Sequence, residues 1–204
     1  MERWKGRTAL VTGASSGIGY GVADALAYSG MTELAKKHAN GPGNVNAIKC
    51  DVTNENEVRA MFEHIKKQYK HIDVLINNAG LIKLDSLVAG RTEKWREMLE
   101  VNIMGLCMCA REALKLMQED GISDGTIINI NSRDISPGIV ATEIFQRSMA
   151  DVQDLSSDQP YSKQPEFEKL SPKDIADSVI YVLSAPPHVN VKTLIVCATQ
   201  QPEL

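Results

Sequence analysis

Eight residues, Thr12-Gly13-Ala14-Ser15-Ser16-Gly17-Ile18-Gly19, constrain this chain more than any other stretch. They follow the apolar run Thr8-Ala9-Leu10-Val11 and open a segment with Ile18, Val22, Ala25 and Leu26 on one helical face. A strand, a glycine-rich turn and a helix in that order aim helix N-terminal N–H groups at whatever lies above the turn, which favours an anion. Gly13 suits the tight turn, Gly17 lets backbone approach a pyrophosphate, and Gly19 lets the helix close onto the strand. An ordinary β–α turn also uses small residues. Three glycines at this spacing, between a strand and a helix and so near the N-terminus, favour a dinucleotide instead. The stretch by itself names no reaction.

The chain beyond it alternates strands with amphipathic helices. Gly30 ends the first helix, and Met31 to Ala39 reads as another helix capped by Thr32, with no strand before it. The second strand of a dinucleotide fold, whose end contacts the adenosine ribose, is therefore missing from the pattern. Residues 40–44 form a loop, and Val45 to Val52 reads as a strand carrying Asp51 at its end. Thr53 or Asn54 caps a helix burying Val58, Met61, Phe62, Ile65 and Tyr69. Ile72 to Ile76 is a continuous apolar strand, as a sheet covered on both faces requires, and it delivers Asn77-Asn78-Ala79-Gly80. Thr92 caps a long helix with the stripe Trp95, Met98, Leu99, Asn102, Ile103, Leu106, Ala110, Ala113, Leu114 and Met117. Asn102 is the polar member of that stripe and needs a partner or a task.

Gly125 to Ser132 is a further buried strand. Ser136 to Thr142 reads as a turn and covering loop, and a polar stretch of little periodicity runs to Leu170. Ser171-Pro172 starts a last helix burying Ile175, Val179, Ile180 and Leu183, and Leu194 to Cys197 forms a final strand. The pattern predicts a single α/β domain over residues 1–204, a doubly wound parallel sheet with its ligand crevice at the carboxyl ends of the strands. Gly13, Asp51, Asn78, Ala79, Gly80 and Ser132 all converge on such ends.

Composition narrows the partners. The 204 residues are 43% hydrophobic and 24% charged, near globular averages. A net charge of −4, without a block of Lys and Arg, argues against nucleic acid. No stretch has the apolar core of a signal peptide or the length of a membrane span, so a cytoplasmic protein without a membrane partner is expected. The cysteines Cys50, Cys107, Cys109 and Cys197 show neither C-x-x-C nor a His at metal spacing; four reduced thiols and no metal site are expected. Cys107 and Cys109 are two apart and face different sides of the helix. His38, His64, His71 and His188 lie in polar surroundings and read as surface residues.

Taken together, Thr12-Gly13-x3-Gly17-Ile18-Gly19, Asp51-Val52, Asn77-Asn78-Ala79-Gly80, Asn102, Ser132 and Ser136-Pro137-Gly138 resemble the short-chain dehydrogenase/reductase family along nearly the whole chain. Met1-Glu2-Arg3-Trp4 and Ile127-Ile128-Asn129-Ile130-Asn131-Ser132 are most similar to its insect farnesol-dehydrogenase-like members and their vertebrate family-member-11 relatives. The resemblance implies an NADP(H)-dependent oxidoreductase, NAD(H) not excluded, that interconverts an alcohol such as farnesol, or a steroid-like substrate, with its carbonyl. It implies that Gly13, Ser15, Ser16, Gly17, Ile18 and Gly19 hold the pyrophosphate and that Asp51 and Val52 line the adenine pocket. Asn78, Ala79 and Gly80 would then line the adenosine side, and Pro137, Gly138, Ile139 and Thr142 would cover the nicotinamide. Ser132 and Asn102 match two members of the family's catalytic tetrad, the first orienting the substrate oxygen and the second holding a relay water.

The other two members, a Tyr and a Lys four residues on, do not exist here. Tyr20 meets Asp24, Tyr28 meets Thr32, Tyr69 meets Asp73, Tyr161 meets Pro165 and Tyr181 meets Ala185. A phenol titrating near 10 needs that Lys to work at neutral pH. Tyr161-Ser162-Lys163 has a spacing that puts the two side chains on different helix faces and lies on the wrong side of Pro137-Gly138. The family places a loop, a helix and a strand between Ser132 and Ser136, whereas this chain has Arg133-Asp134-Ile135. Three residues cannot make a parallel crossover, which takes about a dozen. The expected sheet therefore lacks its second strand and its catalytic-helix region. Omitted segments of a longer protein, a transcript that skips exons and a decayed relative all account for this. The alternatives to an enzyme are a dinucleotide-binding protein without turnover and a non-functional product. A homo-oligomer is implied by the family, which pairs through the Asn102-bearing helix and the helix missing here.

Overall fold

Every residue of Thr8–Val11 (β1) and Val74–Asn77 (β3) is buried. In the computed structural model of the chain they are the central strands of a four-stranded parallel sheet. Thr32–Glu33 (β2) flanks β1 and Thr126–Asn129 (β4) flanks β3, giving the order β2-β1-β3-β4. The structure describes residues 1–33, 43–83, 88, 90–130, 135–137, 140, 142–144 and 168–199. Alternation along the strands sends side chains to two cores. Ala9, Val11, Val74 and Ile76 meet Val22 and Leu26 of Gly17–Tyr28 (α1) and Ile175, Val179 and Leu183 of Pro172–Ser184 (α5). Leu10 and Leu75 meet Val58, Phe62 and Ile65 of Glu55–Tyr69 (α2) and Met108, Ala113 and Leu116 of Leu106–Glu119 (α4) on the other face. Each fully buried Leu or Ile there contributes about 1.5–3 kcal/mol of hydrophobic stabilisation.

Trp4 closes the first core from the N-terminal side. Its ring is fully buried, its indole Nε1 donates to Leu183 O at 2.7 Å, and the Arg3 and Arg7 guanidinium groups lie 4.6 and 5.0 Å from its centroid. The helix ends follow local chemistry. Asn54, rather than Thr53, caps α2 by accepting from the N–H groups of Asn56 and Glu57. Ser171 and Asp174 form a reciprocal capping box at the start of α5, with Pro172 in the first turn. At the end of α1, Gly30 takes φ +87°, with Gly30 N donating to Ala27 O and Met31 N to Leu26 O. That pairing is the Schellman pattern.

Several sequence expectations are corrected. The helix read from Met31 to Ala39 does not begin there: Thr32–Glu33 pairs with Thr8 and Ala9 as a parallel strand, and residues 34–42 lie outside the described set. Among the described residues the second strand is these two residues. Once the Schellman turn points the chain back along the sheet, the open backbone groups of β1 outweigh local helix propensity. Val45 to Val52 is not a ladder strand; Val45 makes one bridge and residues 46–51 are irregular. The helix from residue 92 has Arg91, not Thr92, at its cap position. It is also not continuous: Thr92–Leu99 (α3) passes through a π-helical turn, Glu100–Gly105, into α4. Its stripe is only half used. Ala113 and Met117 are buried, whereas Leu99, Ile103 and Leu114 are 58%, 53% and 48% exposed.

The expected single sheet is also divided. Overlapping the start of the turn read over Ser136 to Thr142, Ile135–Pro137 (β5) is a strand that pairs in parallel with Leu194–Val196 (β6) as a separate two-stranded sheet. Five residues separate β4 from β5, too few for a parallel crossover, so the two join different sheets. Of β4 itself only Ile128 is buried. The polar stretch before Leu170 falls in residues 145–167, outside the described set.

Candidate functional site

The strand order reverses between β1 and β3, which leads chain segments away on opposite sides and opens a crevice at their carboxyl ends. The turn after β1 and the segment after β3 meet there. Thr12 Oγ1 accepts from the N–H groups of Asn78 and Ala79, each at 3.0 Å, and itself donates to Ile76 O at 3.5 Å. Asn78 Nδ2 donates back to Thr12 O at 2.9 Å and Gly13 O at 3.3 Å. The glycine turn is therefore held by the very segment predicted to line the adenosine side. Only glycine fits its tightest points. Gly13 has φ +67°, and a Cβ there would sit 2.8 Å from Ala79 Cα. A Cβ on Gly19 would sit 2.3 Å from Asn78 Nδ2 and 2.5 Å from Gly13 O.

Ser16 occupies the cap position of α1, yet its side chain makes no capping hydrogen bond. The leading N–H groups of α1 are left for a ligand or solvent. Ser15 is exposed beside them, and Ile18 packs against the first core instead of facing outward. Thr142 comes over the same turn: a Cβ on Gly17 would lie 3.3 Å from Thr142 Cγ2. Pro137 lies in β5. Ser132, Gly138 and Ile139 lie outside the described residues.

A groove of about 470 Å³ is lined by Asp51, Thr53, Leu81, Arg96, Glu97, Glu100 and Val101. Asp51 Oδ1 accepts from Thr53 N and Thr53 Oγ1, and these bonds hold its carboxyl below the ordinary carboxylate value. Glu57 Oε2 accepts from Asp51 N at 2.9 Å. Val52 turns inward and packs on the second core. Leu81, Arg96, Glu97, Glu100 and Val101 are groove residues that sequence reasoning missed; the signal for the last four was their place within two turns before Asn102.

Asn102 has found its partner. Its Oδ1 accepts from Leu81 N at 2.7 Å and its Nδ2 donates to Leu81 O at 2.8 Å. Leu81 directly follows Gly80, so the π turn is stitched to the segment after β3. Asn102 thus positions the groove's two walls against one another.

Cys50 and Cys109 are shielded, burial being the main cause that pushes their thiols up to about 11 and about 12; Cys107 and Cys197 are exposed. Among the described residues no group of His, Cys, Asp and Glu is placed to hold a metal, and no helix is long and apolar enough to cross a membrane.

A parallel sheet with helices on both faces and a glycine turn at its switch point defines a Rossmann-type dinucleotide fold. The family profile described as short chain dehydrogenase matches residues 7–138. The chain belongs to that family, a family of oxidoreductases. It is 35% identical to dehydrogenase/reductase SDR family member 11 of Bos taurus, over 98% of this chain and 99% of that protein. It is 31% identical to farnesol dehydrogenase of Aedes aegypti, over 95% of this chain and 96% of that one. Among solved structures, a serine dehydrogenase complexed with NADP+ superposes with a TM-score of 0.82 at 24% identity, over 96% of each chain. The alignment with the Bos taurus protein spans 257 positions against a chain of 204 residues, so at least 53 of those positions have no counterpart here.

Proposed function

We propose that this chain binds NADP(H) as the dinucleotide domain of an oxidoreductase acting between an alcohol and its carbonyl, the alcohol an isoprenoid such as farnesol or a steroid-like molecule. The observation that carries the reading is the cradle at the switch point, where Gly13 and Gly19 leave no room for a Cβ and the N-terminus of α1 is uncapped. A pyrophosphate fits that donor set. In this reading Gly13, Ser15, Ser16, Gly17, Ile18 and Gly19 form the pyrophosphate end. Asp51, Val52, Asn78, Ala79 and Gly80 form the adenosine end, and Pro137, Gly138, Ile139 and Thr142 cover the nicotinamide. Ser132 would orient the substrate oxygen. The likeness to a serine dehydrogenase whose structure contains NADP+ supports the cofactor, and the Aedes aegypti farnesol dehydrogenase supports the substrate class.

Bound there, the nicotinamide supplies the hydride. The protein must move the accompanying proton, and this chain offers no Tyr with a Lys four residues on. That observation favours a second reading for the 204-residue chain: it binds dinucleotide with negligible turnover. Calorimetric titration with NADPH, together with a farnesol oxidation assay on the same sample, tests both. Binding at micromolar concentration without turnover is expected. No binding at millimolar NADPH overturns the dinucleotide reading, and turnover at the family's level overturns the second. The exposed Leu99, Ile103 and Leu114 supply the face through which family members pair, so a homo-oligomer remains part of the proposal.

A further inference from the structure

Val52, which packs on the second core between the groove residues Asp51 and Thr53, faces Gly105. Gly105 is buried and closes the π turn with φ −58° and ψ −45°, ordinary helical backbone that any residue adopts. A helix interior disfavours glycine relative to alanine, so the dihedral angles do not explain it. Space does. A Cβ at Gly105 would lie 2.9 Å from Val52 Cγ2, 3.1 Å from Val52 Cβ and 3.1 Å from Val52 O.

Val52 has little freedom to retreat, because its neighbours are tied. Thr53 N and Oγ1 both donate to Asp51 Oδ1, and Asn54 N donates to Asp51 O at 3.0 Å. Asp51 and Thr53 form one wall of the groove, and Glu100 and Val101, from the same π turn as Gly105, form part of the other. The Gly105–Val52 contact is thus the hinge pin between the two walls. The groove's volume of about 470 Å³ lies within the ~300–1,000 Å³ range of small-molecule sites.

We infer that Gly105 is a positioning residue for nucleotide binding: its missing side chain sets the spacing of the groove walls that receive the adenosine end of the dinucleotide. The inference rests on the dinucleotide reading above. A methyl at Gly105 forces the π turn away from the Asp51–Thr53 turn and widens the adenosine end, while leaving the glycine turn after β1 untouched.

The test titrates three probes, NADPH, adenosine 2′,5′-bisphosphate and reduced nicotinamide mononucleotide, into the wild-type chain, Gly105→Ala and Gly105→Ala/Val52→Ala. Gly105→Ala should weaken NADPH and the bisphosphate by about tenfold, as crowding a tight contact does, and leave the nicotinamide mononucleotide unchanged. The double variant should recover part of the loss, since it removes the closest clash, with Val52 Cγ2, and leaves the 3.1 Å approaches to Val52 Cβ and O. Where Gly105→Ala does not fold, Val52→Leu crowds the same contact from the opposite side and carries the same expectation. Equal bisphosphate affinity in wild type and the crowded variant overturns the inference alone. So does an equal loss on both half-molecule probes, which marks a general loss of fold. A wild-type chain that binds no NADPH overturns the dinucleotide reading and this inference with it.

Discussion

Adding one methyl group to Gly19 tests how closely the turn after β1 is built. With Asn78 Nδ2 at 2.3 Å and Gly13 O at 2.5 Å from that Cβ, Gly19→Ala must push the Asn78 amide off its two carbonyl acceptors. The expected cost is about 1–3 kcal/mol of stability and loss of NADPH binding, read by denaturant titration and calorimetry. The cysteines make a second test. The burial that raises Cys50 to about 11 and Cys109 to about 12 leaves almost no thiolate at neutral pH. Iodoacetamide at pH 7.5 should modify Cys107 and Cys197 rapidly and Cys50 and Cys109 only on unfolding, as counted by intact mass. Much at this scale was legible, because glycines whose absent Cβ matters stand at fixed spacing in the sequence. The Thr12 hydroxyl was not, since its partners Asn78 and Ala79 are 66 and 67 residues away.

Helices were easier to foresee than strands. The caps of α2 and α5 follow from residues within four positions of each other. The fate of residues 32–33 and 45–52 depends on whether a distant edge is free to pair. The π turn lies between these cases. Asn102 on an apolar stripe signalled a buried partner, but nothing local identified it as the backbone of Leu81. Asn102→Leu removes both hydrogen bonds to Leu81 and leaves its half-buried N–H and C=O unpaired, at about 1–3 kcal/mol for the first orphaned group. Denaturant melts should show that loss, and amide exchange at Leu81 should speed up while amides in β1 hold. Unchanged exchange at Leu81 would mean that the π turn is held by something else.

For the molecule as a whole, charge ties together the chain entering three neighbouring strands, β1, β3 and β4. Arg7, just before β1, donates to Asp124 Oδ1 at 2.6 Å and lies 3.5 Å from the buried Asp73 carboxylate. The Arg7 hydrogen bond holds the Asp124 carboxyl below its ordinary value of 3.8. A lowered folded pKa gives stability that is complete above the unfolded value and lost as pH falls through the folded one. Arg7→Ala should therefore lower the melting temperature at pH 7, with the difference from wild type shrinking below the usual Asp range. Asp124 is 42% exposed, so this pair's share stays under about 1 kcal/mol. A difference that grows in acid would sink the assignment. The parallel α/β class was plain from alternating apolar runs, and so was the shortage of chain between Ser132 and Ser136. The division into two sheets was not, because which strands remain neighbours is decided by crossover length and not by strand composition.

The bonds between Thr12 and Asn78 also set an order in time. A chain made from its N-terminus exposes residues 12–19 long before residue 78 exists, and until then the turn lacks the amide that fixes its carbonyls. Until then the glycine loop joins segments whose own pairing and packing partners are still to be made. That loop acquires its final shape only when the third strand arrives, so competence to hold a phosphate is conferred late, by residues that synthesis delivers more than sixty positions afterward.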